Sequence, residues 1–189
     1  MKKLLLATAI SSAMGFSAMA TAAEYTLDTD GAHAAINFKV SHLGYSFITG
    51  RFDKFDGKFS YDADNVEASK ISVNVDTRSM DSNHAERDKH LTGSRFIDAG
   101  KFSTAKFVSS SITKKADGGL AVKGDMTLHG QTKSIVIDAH FIGEGKDPWG
   151  GYRAGFQGTT RLQLADFGIP VVGKSSYVDL DLQVEGIRQ

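Results

Sequence analysis

The sequence has no cysteine in 189 residues, and that absence closes several routes at once. No disulfide can staple the fold, no thiolate can act as nucleophile, no Cys-bearing zinc site can form, and no cysteine is present to carry a lipoprotein anchor. Proline is almost as scarce. Pro148 and Pro170 are the two in the chain, and no Ser- or Pro-rich tract divides it. Basic and acidic residues balance at 22 each and are interspersed without a basic block, so nothing points to nucleic acid. A Gly-x-Ser-x-Gly elbow is missing. Gly143-Glu144-Gly145 lacks the third glycine of a dinucleotide fingerprint and reads as a strand end before a turn. There is no internal repeat and no twin-arginine pair.

What is present begins with an export signal. Met1-Lys2-Lys3 is a short positive region, Leu4 to Phe16 an uncharged apolar stretch, and Ala20-Thr21-Ala22 a small-x-small cleavage pattern. Ala18-Met19-Ala20 is a second candidate for the cut. A membrane anchor is the competing reading, but the second half of the run is Ala, Ser, Thr and Gly rather than Leu, Ile and Phe. The sequence therefore predicts a signal peptide over 1–22 and one domain over 23–189, delivered to a periplasm. No later segment is apolar for long enough to span a bilayer. A mature chain of about 167 residues suits one well-buried core, and its charge is near −2 once Lys2 and Lys3 are gone.

Most of that chain alternates with period two. Ile36, Phe38 and Val40; Ile71, Val73 and Val75; Met126 and Leu128; Val178, Leu180, Leu182 and Val184 each alternate with polar neighbours, as half-buried strands do. Turn signals separate them at Asp56-Gly57, Asp117-Gly118-Gly119, His129-Gly130 and Trp149-Gly150-Gly151. The predicted strands are 34–43, 51–61, 70–77, 104–114, 119–128, 131–145, 152–164 and 175–187, with a lead-in at 24–28. In 51–61 the apolar parity shifts between Phe52 and Phe55, which predicts a bulge near Lys54 to Gly57. Long consecutive strands with one apolar face tend to curl and close, and eight is about the number that encloses side chains or one small ligand. The fold class is all-β, an eight-stranded antiparallel β-barrel.

Residues 83–91 break the pattern. Asn83-His84-Ala85-Glu86-Arg87-Asp88-Lys89-His90-Leu91 predicts a short surface helix across one end of the barrel, with Asn83 as N-cap, Glu86 reaching back and Gly93 as the stop. His84, Glu86, Asp88 and His90 are metal-ligand types, but His84 and His90 fall on different faces and the spacing is not His-Glu-x-x-His. A solvated helix laced with ion pairs accounts for them. His33, His42, His129 and His140 are scattered and read as local hydrogen-bonding residues. Eleven Phe, five Tyr and Trp149 remain after the leader. They fit a lumen lined for a long apolar ligand or a solid, self-filled core, and periodicity does not separate the two.

The motifs carry more than pattern. His33-Ala34, His42-Leu43-Gly44-Tyr45-Ser46, Phe52 with Phe55-Asp56-Gly57, and the stretch from Asn83 to Leu91 occur in that order. Gly124-Asp125, Thr127-Leu128-His129-Gly130, Asp147 through Phe156, Asp166-Phe167-Gly168-Ile169 and Val184-Glu185-Gly186 follow. In this the chain resembles the YceI-like family of periplasmic polyisoprenoid-binding proteins, over nearly the whole mature length. The resemblance implies a barrel of extended lipocalin type whose lumen takes an isoprenoid or similar long-chain lipid, such as a quinone tail. It also implies that dimers occur, that no enzymatic activity is established, and that there is no catalytic set or cofactor to carry over. By alternation, the positions expected to touch the tail are Ile36, Phe38, Val40, Phe52, Met126, Leu128, Phe141, Phe156 and Leu162. Tyr45, Trp149, Tyr152 and Arg153 are expected at the mouth. An enzyme acting on a lipid or using a metal on the 83–91 helix, and a stress-related binding protein without a defined ligand, are the alternatives.

Overall fold

The computed structural model describes residues 22–189; the leader predicted over 1–22 lies, apart from Ala22, outside them. Eleven strands and one helix follow in order: β1 (Ala23–Leu27), β2 (Ala35–His42), β3 (Ser46–Phe52), β4 (Phe55–Tyr61), β5 (Lys70–Asp76), β6 (Met80–Asp81), α1 (Ala85–Thr92), β7 (Thr104–Lys114), β8 (Leu120–Leu128), β9 (Gln131–Lys146), β10 (Tyr152–Gln163) and β11 (Tyr177–Arg188). The pairings reduce them to eight staves. β1 and β2 both pair with β11, β4 pairs with β1 and β3 with β2, and β5 and β6 pair with β4 and β3. Hence β1–β2, β3–β4 and β5–β6 are each one interrupted stave. All pairs are antiparallel, each stave lies beside its neighbour in sequence, and β1 against β11 closes the barrel.

The interruptions explain where the sequence pattern was uneven. Stave two breaks at Asp53-Lys54, between Phe52 and Phe55, so both rings reach the interior despite their opposite parity. Stave three breaks beside it, at residues 77–79. The Asp53 amide donates to the Ser79 carbonyl at 3.0 Å, and the Lys54 amide to Ser79 Oγ at 2.9 Å. Asp56-Gly57, a turn signal by composition, lies instead inside β4. A Cβ on Gly57 would stand 2.8 Å from both the Leu27 side chain and the Ser72 carbonyl, so the glycine serves close packing rather than a turn. The stretch 46–50, left out of the predicted strands, is the first part of stave two. His129-Gly130 is a two-residue hairpin turn with positive φ at both positions, as a type I′ turn requires.

The helix starts later than predicted. Asn83 is not its cap; it adopts a left-handed φ of 63°, which Asn tolerates better than most residues. His84 caps instead, its Nδ1 accepting from the Arg87 amide at 3.3 Å. Glu86 pairs with Lys89 at 2.6 Å rather than reaching back. Asp88 does the reaching, accepting from the amide and hydroxyl of Ser82 at 2.8 and 2.5 Å. Arg87 donates to that same hydroxyl at 2.8 Å. None of the α1 residues is buried, so hydrogen bonds to Ser82 hold the helix more than packing does.

Strand direction alternates stave by stave, so the chain connections sort into two ends. At one end lie the 43–45 turn, α1, the 129–130 turn and the 164–176 connection; at the other lie residues 115–119, 147–151 and the C-terminus. The second half is largely filled by aromatic and aliphatic side chains, which leave a small space of about 80 Å³. Tyr25 stacks on Phe59 with centroids 4.8 Å apart, Phe156 meets the edges of Phe59 and Tyr61, and Tyr61 stacks on Phe141. Gly186 makes room for this pile: a Cβ there would lie 2.4 Å from the Phe59 ring. The first half is lined by smaller aliphatic residues, among them Val75, Ile97, Ala105, Leu128, Leu162 and Ile169.

Removing Phe59 should therefore empty the centre of the filled half. Phe59→Ala is expected to cost about 3–5 kcal/mol, measured by urea denaturation with an unchanged m-value. A loss below ~1 kcal/mol would show that the aromatic pile does not carry the fold.

Candidate functional site

The aliphatic half encloses a cavity of about 550 Å³. Its wall comes from alternate residues of several staves. Ile36, Phe38 and Val40 line it from β2, Ile48 and Phe52 from β3, Val75 from β5, Met80 from β6, Ala105 from β7, Met126 and Leu128 from β8, Leu162 from β10, and Val178 and Leu180 from β11. Phe96, Ile97, Leu164, Ile169 and Pro170 complete it from the connections at the open end. The polar lining sits at that end alone: Ser41, His42, His84, Glu86, Arg87, His90 and Ser175. The arrangement is an apolar tube, floored by aromatics, whose mouth lies under a charged helix.

The mouth is built from two straps. The β2–β3 turn places Leu43 at φ 55° and Gly44 at φ 82°, with the Tyr45 amide donating to the His42 carbonyl at 3.0 Å. The 169–176 loop packs against it: the Ser175 hydroxyl donates to the Ser41 carbonyl, and Gly173 and Gly44 leave room for the Leu43 and Lys174 side chains respectively. Opposite them, α1 is held by Ser82. Burial of Asp88 works against its ionised form, but the Ser82 bonds prevail and hold its pKa below the usual carboxylate value.

Seven of the thirteen positions expected from the sequence line this cavity: Ile36, Phe38, Val40, Phe52, Met126, Leu128 and Leu162. Tyr45 stands at the mouth but points outward, 88% exposed. The others are elsewhere. Phe141 and Phe156 belong to the aromatic pile in the filled half. Trp149, Tyr152 and Arg153 lie at the far end of the barrel, because β10 starts there and runs towards the mouth. Several lining residues were missed. Ile48 fell outside the predicted strands, and Ile169 and Pro170 sit on a connection without periodicity. Val178 and Leu180 share the parity of Leu182 and could have been chosen.

Arg153 organises a separate cluster. Its guanidinium donates to Asp28, to Asp147 at 2.8 Å and to Glu185 at 2.7 Å, tying the break after β1 to β11 and to the β9–β10 turn. Asp28, 5% exposed, also accepts from the Gly31 amide at 2.9 Å and engages His33 at 2.8 Å. The hydrogen bond from Arg153, then that from His33, brings the Asp28 pKa down to about 2. Asp147 is lowered too, by Arg153 and by the Gly151 and Trp149 amides. Among the described residues, Asp28, His33 and Glu185 are the set whose ligand atoms gather within 4.8 Å. The guanidinium already bonds two of the three, so the cluster suits an ion-pair staple and not a metal. The acidic and histidine groups of α1 do not converge, since Asp88 is spent on Ser82 and Glu86 on Lys89.

The staple has a signed pH dependence. Asp28 titrates lower folded than its unfolded value near ~3.9, so its stabilisation is complete above that value and drains away as pH falls towards about 2. Tm measured between those limits is expected to fall more steeply in the wild type than in Asp28→Asn. Parallel curves would remove the cluster from the stability account.

Comparison with known proteins adds three findings. The YceI-like domain model matches residues 25–185. A UPF0312 protein of Vibrio cholerae (serotype O1, El Tor Inaba) is 63% identical over 189 residues, covering 100% of both chains. A UPF0312 protein of Shewanella denitrificans is 54% identical over 191 residues, again covering 100% of each. Among solved structures, the Campylobacter jejuni YceI protein is similar at TM-score 0.71 and 25% identity, over 79% of this chain and 90% of that one. Burkholderia cenocepacia BcnA gives TM-score 0.75 at 16% identity, over 84% and 98%. A polyisoprenoid binding domain from Saccharophagus degradans gives 0.63 at 15%, over 87% and 98%.

Proposed function

The chain belongs to the YceI-like family, and from that premise we propose that it is a binding protein for one isoprenoid or similar long apolar tail, held in the hollow half of the barrel. The observation that carries this reading is the division of the lumen. One half is largely filled by its own side chains, keeping only about 80 Å³; the other keeps a cavity of about 550 Å³ with apolar walls and polar groups confined to the mouth. A solid core has no need of such a space, and an aqueous substrate would find few partners along its depth. The solved Saccharophagus degradans neighbour, a polyisoprenoid binding domain by description, supports the same ligand class.

Enclosing roughly 500 Å² of hydrocarbon yields on the order of 12 kcal/mol gross at ~25 cal/mol/Å². Losses of translational and chain entropy take back much of it, leaving ordinary tight lipid binding. The tail lies against Phe38, Leu128 and Leu162, while its polar end meets His84, Arg87 and His90 at the mouth. Carriage or storage of a water-insoluble tail is the role such a container serves. We place it in a periplasm, on the strength of the charged start, apolar run and Ala20-Thr21-Ala22 of the leader. Intact-mass analysis of the exported protein is expected to begin at Ala23, and a mass retaining Met1 would contradict export by cleavage.

Saturating polyprenol, at ~100 times Kd, is expected to stabilise the fold by about 2.7 kcal/mol, a Tm rise of roughly 5–10 °C for a chain of this size. Ala105→Phe, which fills the cavity from β7, should abolish the rise. An unchanged wild-type Tm, or an undiminished shift in Ala105→Phe, would refute the proposal.

A further inference from the structure

The mouth of the cavity exposes more apolar surface than a soluble rim needs. From His42 to Phe47 every residue is exposed, and the run includes Leu43, Tyr45 and Phe47. Tyr45 is 88% and Phe47 56% exposed. The neighbouring strap, Pro170 to Lys174, is exposed throughout and presents Val171 and Val172. The two straps are packed on one another, so these side chains form one patch beside the opening.

Two further observations say what the patch faces. The first is backbone conformation. Leu43 holds a left-handed φ of 55° at the tip of the turn, a conformation that Gly and Asn adopt at lower cost and that marks functional positions when a bulky residue persists in it. Tip chemistry has been set for apolarity over turn stability. The second is charge. Residues 39–49 and 168–178 contain Lys39 and Lys174 and not one carboxylate, in a chain with 22 acidic residues. Lys39 lies over the Phe47 ring of the patch, with Asp179 opposite it on β11, and Arg51, further along β3, is bonded to Asp53. Across the mouth, Lys89 is paired with Glu86, and Arg87 and Asp88 both bond Ser82, so α1 adds no excess of acid facing the straps, and Arg95 beyond it is exposed. The far end of the barrel also exposes apolar groups, Ile142 and Trp149, but its charges are of both signs and paired, Arg153 with Asp147 and Lys115 with Asp138. The two ends thus differ in how their charges are matched, since the strap segments carry lysines and no carboxylate of their own.

We infer that the strap patch docks on an anionic lipid bilayer surface, with Leu43, Tyr45 and Phe47 entering the headgroup region and Lys39 and Lys174 meeting lipid phosphates. Exposed aromatic and aliphatic groups flanked by lysines are what interfacial binding to an acidic bilayer requires. Docking there sets the cavity mouth against the membrane, where an apolar tail can pass between the two without crossing water. The surface is a property of the straps and does not depend on the cavity being loaded.

The test uses the mature protein and isoprenoid-free vesicles, so it is independent of tail binding. Co-sedimentation is measured with phosphatidylcholine vesicles containing phosphatidylglycerol and with pure phosphatidylcholine. The mature protein is expected to partition onto the acidic vesicles. Lys39→Gln with Lys174→Gln should weaken that partition by roughly fivefold per lysine. Tyr45→Ser with Phe47→Ser should reduce it at least ~tenfold. Leu43→Asn, which suits the left-handed turn, should also weaken partition without lowering Tm. Ile142→Ser with Trp149→Ser at the far end should change nothing. Failure to sediment with acidic vesicles overturns the inference. So does sedimentation indifferent to the strap variants, or self-association of the protein through the patch in place of vesicle binding.

Discussion

Everything in this molecule depends on how side-chain volume is shared inside a closed barrel. Closure of β1 on β11 removes the sheet edges and commits every inward residue to one lumen. The staves place most of their large inward rings at one end, Phe38 and Phe52 being the exceptions. Tyr25, Phe59, Tyr61, Phe107 and Phe156 fill most of it, with Gly186 leaving room for the Phe59 ring. At the other end mainly aliphatic residues, among them the small Ala105, face inward with Phe38 and Phe52 and leave it unfilled. A cavity of this kind costs dispersion contacts that a solid core would keep. The aromatic half and the Arg153 staple stabilise the barrel against that loss, and both sit away from the open end.

Much of this was legible in the sequence, for physical reasons that also mark the limits. Period-two alternation reports facing, so the eight staves and the cavity positions from Ile36 to Leu162 could be read directly. Alternation says nothing about depth along the axis. Phe156 and Leu162 share β10 and both point inward, yet one belongs to the pile and the other to the cavity wall. The same blindness put Arg153 at the mouth, when strand direction carries it to the opposite end. The choice between a filled and a hollow lumen could not be made from composition because the barrel is both. Helix chemistry was misplaced by one residue, since Asn83 is used for its left-handed backbone and His84 for its ring nitrogen.

The open end combines features that each oppose stability. An unburied helix hangs on Ser82, a leucine occupies a left-handed turn, and aromatic side chains stand in solvent. Their concentration at one end, beside the cavity, is the pattern of a fold that spends stability where it meets a ligand or a surface. The better-filled end stabilises the fold as a whole against these losses.

The account stands or falls on what occupies the hollow half. Native mass spectrometry of the protein purified from the cells that produce it, without added lipid, addresses this directly. The account predicts a bound species of hydrocarbon-tail mass that is lost on mild collisional activation and absent from Ala105→Phe. Protein carrying nothing, or carrying the same species after the cavity is filled, would contradict it.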